Sequence, residues 1–323
     1  MGSRSAQVLL LAPAAPPGLV EAAGGSLPGV EVVQLPQHSV AALHALLPSA
    51  DVVIGDWSGR LRLTPAEAEL AVRTSLVQQP TSGVDTVDLA AFRDRAIPVA
   101  NTGSTNAASV VEWTLGAAMC LLRSYRWADR QVRLGRWPNL AILDEAPPRE
   151  LRRLRIGIVG AGAVGQGCAR VYAALGSHVS YWSPHRRLDP GLAGYQPLPD
   201  LFATSDVVLV AIARGPGTLG LVGRDLLRSL PRQALLVDVS RGGIVRHDIV
   251  LDLLRAGRLA GAALDVFDSE PPLLPAAWRD CPDLLLSPHV AGVTGESMER
   301  TYRIVRSNVR AALTGEPLTH VVN

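Results

Sequence analysis

The stretch Arg155-Ile-Gly-Ile-Val-Gly-Ala-Gly-Ala-Val-Gly-Gln-Gly-Cys-Ala-Arg170 constrains this chain more than any other. Ile156, Ile158 and Val159 make a short apolar run suited to a central parallel strand, and Gly160, Gly162 and Gly165 follow it as G-x-G-x-x-G. Each glycine answers a separate steric demand. Gly160 permits a tight turn, Gly162 has no side chain to hold a pyrophosphate off the backbone, and Gly165 lets a helix pack closely on its strand. The helix start, predicted over Val164–Leu175, offers free N–H groups and the positive dipole end, both suited to phosphate. A glycine pattern alone is weak in a chain with 30 glycines. Its context is stronger: a β-type run before it, an apolar-periodic helix through it and a second strand-like run, His178-Val-Ser-Tyr-Trp182, behind it. Dinucleotide binding is favoured over a merely structural turn.

At 323 residues the chain is long for one core, which predicts two domains. Its 48% apolar and 19% charged content is ordinary for a globular protein, and a net charge of +2 with interspersed signs gives no nucleic-acid footprint. Every basic side chain is arginine, so the lysine chemistries, Schiff base and P-loop alike, are excluded. Cys120, Cys168 and Cys281 lie far apart with no metal spacing, which fits a reduced cytoplasmic setting and predicts no metal site. Arg4 followed by Val8-Leu-Leu-Leu-Ala12 briefly resembles a leader. The run is short and broken by Pro13, Pro16 and Pro17, so a first buried strand is favoured, and no stretch reaches membrane-spanning length.

Strand-like runs at Val8–Leu11, Val30–Val33, Val52–Ile54, Leu76–Gln78 and Ile97–Ala100 alternate with helical patterns at Val40–Leu47, Pro65–Arg73 and Leu89–Arg95, which predicts a small parallel α/β unit. Its loop Pro80-Thr-Ser-Gly-Val-Asp-Thr-Val-Asp88 follows a strand, at the edge where such sheets bind ligands, although Ser82-Gly83 on spacing alone is only a turn. Asn101–Asn106 is a polar crossing into helical patterns at Ala107–Arg123 and Arg126–Trp137. Trp113, Trp127 and Trp137 suit packing or subunit contact. Further strands are predicted at Val207–Ile212, Leu235–Val239, Gly261–Val266 and Leu284–Leu286, and a last helix at Met298–Leu313.

Arg241, Glu270 and His289 each follow an apolar run and precede a Gly- or Pro-marked turn, so all three should collect at the carboxyl edge of the second sheet, beside the glycine turn. A histidine next to a carboxylate can be held protonated, and an arginine fork grips a planar carboxylate. Taken singly, each is better read structurally: His289 as one of seven histidines, Arg241 as a strand-end surface charge and Glu270 as a solvated loop residue.

Jointly, these strings match a family. Ser82-Gly-Val-Asp-Thr-Val-Asp88, Glu150-Leu151, Gly157-Ile-Val-Gly160, Ser240-Arg-Gly-Gly243, Ala263-Leu-Asp-Val-Phe267 with Glu270-Pro271, and Ser287-Pro-His289 stand in the order found in the D-isomer-specific 2-hydroxyacid dehydrogenases, which the chain resembles over almost its whole length. The resemblance implies an α/β fold of two domains. A Rossmann-type doubly wound parallel sheet (102–289) is inserted into a smaller flavodoxin-like α/β substrate domain (1–101 and 290–323). It implies hydride transfer between NAD(P)H and C2 of a 2-oxo acid or D-2-hydroxy acid, with Arg241 as substrate anchor, His289 as acid/base and Glu270 as its partner. The cofactor set becomes Gly160, Gly162, Ala163, Val164, Gly165, Ser183, His185, Arg186, Arg187, Ser240 and Asp265, with Asp265 at the nicotinamide carboxamide. The substrate set becomes Trp57, Ser82, Gly83, Arg241 and His289, with side-chain specificity falling to Asp56, Trp57, Arg60 and Thr81. Family members pair their cofactor domains, which implies a homodimer built on Ala107–Trp137. Other members are non-catalytic dinucleotide-sensing corepressors, the alternative reading; formate enzymes, another branch, carry an amide where Glu270 stands.

The chain departs from the family in two places. Arg246 and His247 occupy the positions of an acidic pair, and Ala213-Arg-Gly-Pro-Gly217 replaces a different proline-containing loop. The cofactor expectation is local. An acid at the end of the second strand would accept hydrogen bonds from the adenosine ribose, and here that place is Ser183, followed by Pro184, His185, Arg186 and Arg187. With no carboxylate to repel a 2′-phosphate and two guanidinium groups beside the position, NADP is favoured over NAD.

Overall fold

The computed structural model describes residues 5–16, 18–25, 27–185, 194–279 and 281–323. The chain divides into two compact units, Met1–Asn106 with Thr294–Asn323, and Ala107–Val293.

The first unit is a five-stranded sheet of β1 (Ala6–Leu10), β2 (Val30–Gln34), β3 (Val52–Ile54), β4 (Leu76–Gln78) and β5 (Val99–Ala100), in the order β2-β1-β3-β4-β5. All its neighbours are parallel. Parallel strands are buried on both faces, which is why these runs are apolar at consecutive positions. Leu9, Val53 and Val77 pack with Leu43, Ala68 and Phe92 of the helices Val40–Leu46, Pro65–Leu70 and Leu89–Asp94. Val8, Leu10, Val52, Ile54 and Leu76 pack with Val305 and Val309 of the last helix, Gly295–Thr314. Each of those two valines is fully buried and contributes about 1.5–3 kcal/mol, so the returning C-terminal helix completes the N-terminal unit's core. That helix begins three residues before the expected Met298. Thr294 caps it by accepting from the Ser297 N–H, and a capping box carries no apolar periodicity.

The second unit carries β6 (Arg155–Val159), β7 (His178–Trp182), β8 (Val207–Val210), β9 (Leu235–Asp238), β10 (Gly261–Leu264) and β11 (Leu284–Leu286), ordered β11-β10-β9-β8-β6-β7 and wholly parallel. One face packs Ile156, Ile158, Leu209 and Val237 against the helices Ala107–Leu122 and Ala163–Ala174. The other packs Val159, Val208, Leu236 and Ala262 against the helices Leu198–Thr204, Arg224–Ser229 and His247–Arg255. This is a doubly wound sheet. Strand order reverses between β6 and β8, and since every strand points the same way, the glycine turn and the loops after β9, β10 and β11 leave one common edge.

The helix expected over Arg126–Trp137 is shorter, Tyr125–Arg133. It buries no residue, and Gly135 turns left-handed at φ 72°, which ends it. Among the described residues no helix is long and apolar enough to cross a membrane, and no acidic, histidine or cysteine cluster could hold a metal.

Candidate active site

The glycine turn is specified atom by atom. Gly160 sits at φ 108°, and a Cβ there would come 2.7 Å from the Ala211 carbonyl oxygen. At Gly165 a Cβ would fall 1.9 Å from the Gly160 oxygen, so only glycine lets the helix Ala163–Ala174 approach β6. Gly162, its N-cap, differs: a Cβ would meet nothing within 4 Å. The ground before the helix start is open, Gly162 and Ala163 are exposed and Val164 is half-buried, as a bound pyrophosphate requires. Ser183 is half-buried one residue beyond β7, and His185 is exposed. Arg186 and Arg187 lie outside the described residues.

Across the sheet, three loops carry the charged residues. Arg241 stands three positions after β9, half-buried, with its Nη1 donating to the Ser240 carbonyl at 2.8 Å. Glu270 follows β10 and His289 follows β11. The His289 ring donates from Nδ1 to Glu270 Oε2 at 2.8 Å, the carboxylate being able only to accept. Glu270 Oε1 also accepts the Phe267 N–H at 3.0 Å. Burial pushes the Glu270 carboxyl up, but the His289 bond and charge, the Phe267 N–H and the Arg241 guanidinium outweigh it and hold the group below the usual glutamate range. His289 itself adopts φ 55°, a left-handed conformation in which histidine is enriched among non-glycine residues.

That backbone is held from beneath by Asp265. Its Oδ1 accepts the Ser287 hydroxyl and the Val290 N–H (2.8 Å), and its Oδ2 accepts the Ala291 N–H (2.9 Å). Asp265 is only 1% exposed; burial pushes its carboxyl up, against the pull of these donors. Both its oxygens therefore serve the His289 loop. Ser240 is likewise turned inward, its N–H and hydroxyl both donating to Asp238 Oδ1.

The Arg-Gly-Gly string has its own geometric cause. A Cβ on Gly242 would lie 2.0 Å from the Phe267 carbonyl oxygen, so the β9 and β10 loops touch at that residue. Gly243 is left-handed at φ 82° and its N–H donates to Asp268 at 2.7 Å.

In the first unit, the loop after β4 holds Thr81, Ser82 and Gly83. Thr81 donates its hydroxyl to the Gly83 carbonyl, Ser82 donates to Asn106, and Asn101 donates to the Ser82 carbonyl. Neither the Ser82 nor the Gly83 N–H is engaged by a backbone carbonyl among the described residues. Asp56 is buried and accepts the N–H groups of Ser58, Arg60 and Leu61. It shapes the loop that bears half-buried Trp57 and exposed Arg60, and its carboxylate is used in doing so.

One pair was missed from sequence. His247 Nε2 lies 2.9 Å from Asp238 Oδ2, both side chains being almost wholly buried. The available signal was Asp238 itself, an acid closing the apolar run Leu235-Leu-Val, which needs a partner when the run is a central strand.

The sequence model of the D-isomer specific 2-hydroxyacid dehydrogenase NAD binding domain matches residues 115–291. The chain belongs to that family. It is an NAD(P)-dependent oxidoreductase that moves a hydride between the dinucleotide and C2 of a 2-oxo or D-2-hydroxy acid, and this holds over the alternative of a non-catalytic sensor. Among its relatives, a 2-ketogluconate reductase of Gluconobacter oxydans is 31% identical over 283 residues, covering 87% of this chain and 90% of the relative. The solved structure of an NADPH-dependent glyoxylate/hydroxypyruvate reductase from Sinorhizobium meliloti, in complex with NADP and malonate, aligns with TM-score 0.84 at 25% identity over 98% of this chain and 97% of the other. An NAD-dependent formate dehydrogenase from Staphylococcus aureus, in complex with NAD, aligns with TM-score 0.84 at 26% identity over 98% and 99%.

Proposed function

We propose that this family member works as a reductase of small 2-oxo acids, with Arg241, Glu270 and His289 as its catalytic residues and NADPH as the preferred donor. The observation that carries the reading is the 2.8 Å hydrogen bond between His289 and Glu270, on loops that leave the same sheet edge as Arg241 and the glycine turn. A bound reduced nicotinamide supplies the hydride; the rest is work for the chain's own side chains. The Arg241 fork neutralises the substrate carboxylate and polarises the C2 carbonyl. With Nδ1 committed to Glu270, His289 keeps its proton for delivery on Nε2, and the ionised Glu270 stabilises the imidazolium and aims it. The Ser82 and Gly83 N–H groups offer a second cradle for a carboxylate, and Trp57, Arg60 and Thr81 are the candidates that read the rest of the substrate. The preference for NADPH is supported by Ser183 standing where a ribose-binding acid would otherwise be.

The reading is tested by NADPH and NADH oxidation with glyoxylate, hydroxypyruvate, pyruvate and 2-ketogluconate. Turnover of at least one 2-oxo acid is expected, and no oxidation with any of them overturns it.

The same protein is proposed to act as a cytoplasmic homodimer. Support comes from the free state of all three cysteines and from the segment 125–143, where Tyr125, Val132, Leu134, Trp137, Leu140 and Leu143 are all more than half exposed. A cluster of apolar side chains of this kind marks a protein interface. Light scattering should give twice 34.2 kDa, and a monomer at working concentration refutes the dimer.

A further inference from the structure

We propose that His247 is a positioning residue that locks the Arg241 loop to the Glu270 loop, through its buried pairing with Asp238; the inference rests on the catalytic roles given above to Arg241, Glu270 and His289. His247 opens the helix His247–Arg255 and is 5% exposed. On one side its Nε2 meets Asp238 Oδ2 at 2.9 Å. Asp238 Oδ1 takes the Ser240 N–H and hydroxyl, and the Ser240 carbonyl takes Arg241 Nη1. On the other side the His247 ring stands edge-on to Phe267, with centroids 6.3 Å apart at 73°. Trp278 closes over it at 6.1 Å and 71°. Phe267 is the residue whose N–H holds Glu270 and whose carbonyl abuts Gly242. One imidazole therefore touches both lines of support, a polar one leading to the substrate anchor and an apolar one leading to the carboxylate behind the proton donor.

The pairing also accounts for a departure of the sequence from its family. An acid at position 247 would bring a second carboxylate to Asp238 inside a dry pocket, where two like charges exclude each other. Asp238 and His247 are a matched set in which each tolerates burial because the other is present.

Three variants test the proposal: His247→Leu, which keeps bulk but loses the donor, His247→Gln, which keeps a donor of similar reach, and the exchange His247→Glu with Asp238→Asn, which reverses donor and acceptor. The readouts are kcat, the 2-oxo acid KM and the NADPH dissociation constant by fluorescence. His247→Leu should raise KM about tenfold and lower kcat less, with NADPH binding within about twofold, whereas His247→Gln stays within about threefold of wild type throughout. Should His247→Leu fail to fold, His247→Glu alone should show the KM defect and the exchange should relieve it. Equal behaviour of the Leu and Gln variants, or an exchange that gives no relief over His247→Glu, overturns the proposal. Arg241→Lys is measured alongside: wild-type kinetics there would sink the catalytic assignment itself, while a defect there with none in His247→Leu sinks only the role of His247.

Discussion

The carboxyl edge of the second sheet is built in two ways. At the β6 end the surface is made by omission: Gly160 and Gly165 let the turn and helix close up on the strand, and Gly162 leaves an uncapped helix start with open ground before it. At the β9–β11 end it is made by cross-bracing, in which Asp265, Asp268 and Glu270 tie three successive loops together. The contrast follows from the two tasks. A phosphate chain is bound by N–H groups that any residue supplies, so the demand is only that side chains stay away. Proton delivery depends on particular side chains held to a fraction of an ångström, so every one of them needs a support.

If that division is right, substitutions at the braced end should cost turnover and those at the open end should alter only which dinucleotide is used. His289→Ala carries the largest expected effect, a fall in kcat of about a hundredfold or more with NADPH binding intact, measured by steady-state kinetics and fluorescence titration. Unchanged turnover would remove His289 from the chemistry. Arg241→Lys keeps charge and loses the fork, so kcat/KM should drop by about tenfold or more, while Arg93→Lys at an exposed helical site leaves it untouched. At the open end, Ser183→Asp should shift the NADPH/NADH ratio of kcat/KM about tenfold toward NADH and leave the better kcat nearly constant; a fall in kcat with no change in preference would dissolve the division.

The smallest effect concerns pH. The Glu270 carboxyl is held below its ordinary range, so its pairing stabilises the fold fully above the unfolded pKa, and that stabilisation is lost as pH falls through the folded value. The Tm advantage of wild type over Glu270→Gln should hold from pH 7 down to about 4.3 and shrink below it. An advantage that keeps growing below about pH 4.3 has the wrong sign and would say that the Glu270 carboxylate is not paired in the folded protein.

What could be read in advance follows the same line. The glycine turn was legible because it is contiguous and its demands are steric; Arg241, Glu270 and His289 could be placed at one sheet edge because each sits between an apolar run and a Gly or Pro, while their proposed roles came from the family resemblance alone. The His247–Asp238 pair was not, since the two side chains meet only once β9 and the following helix are folded, and position 247 read as a mere departure from pattern. Asp265 and Ser240 were expected at the cofactor from the resemblance; that Asp265 also accepts from Ser287, Val290 and Ala291, and that Ser240 donates to Asp238, is set by hydrogen bonds that apolar spacing does not encode. Helix ends followed capping and backbone handedness, at Thr294 and Gly135, rather than apolar period.

Gly242 carries this architecture into evolution. Because any Cβ there would collide with the Phe267 carbonyl, a change in the β9 loop at this position forces a change in the β10 loop as well. On the proposed roles, a change in the acid reduced falls to the Trp57–Arg60 loop and a change of dinucleotide to Ser183–His185. A breeder of new activities would randomise those two segments first, and would leave the Arg-Gly-Gly string alone.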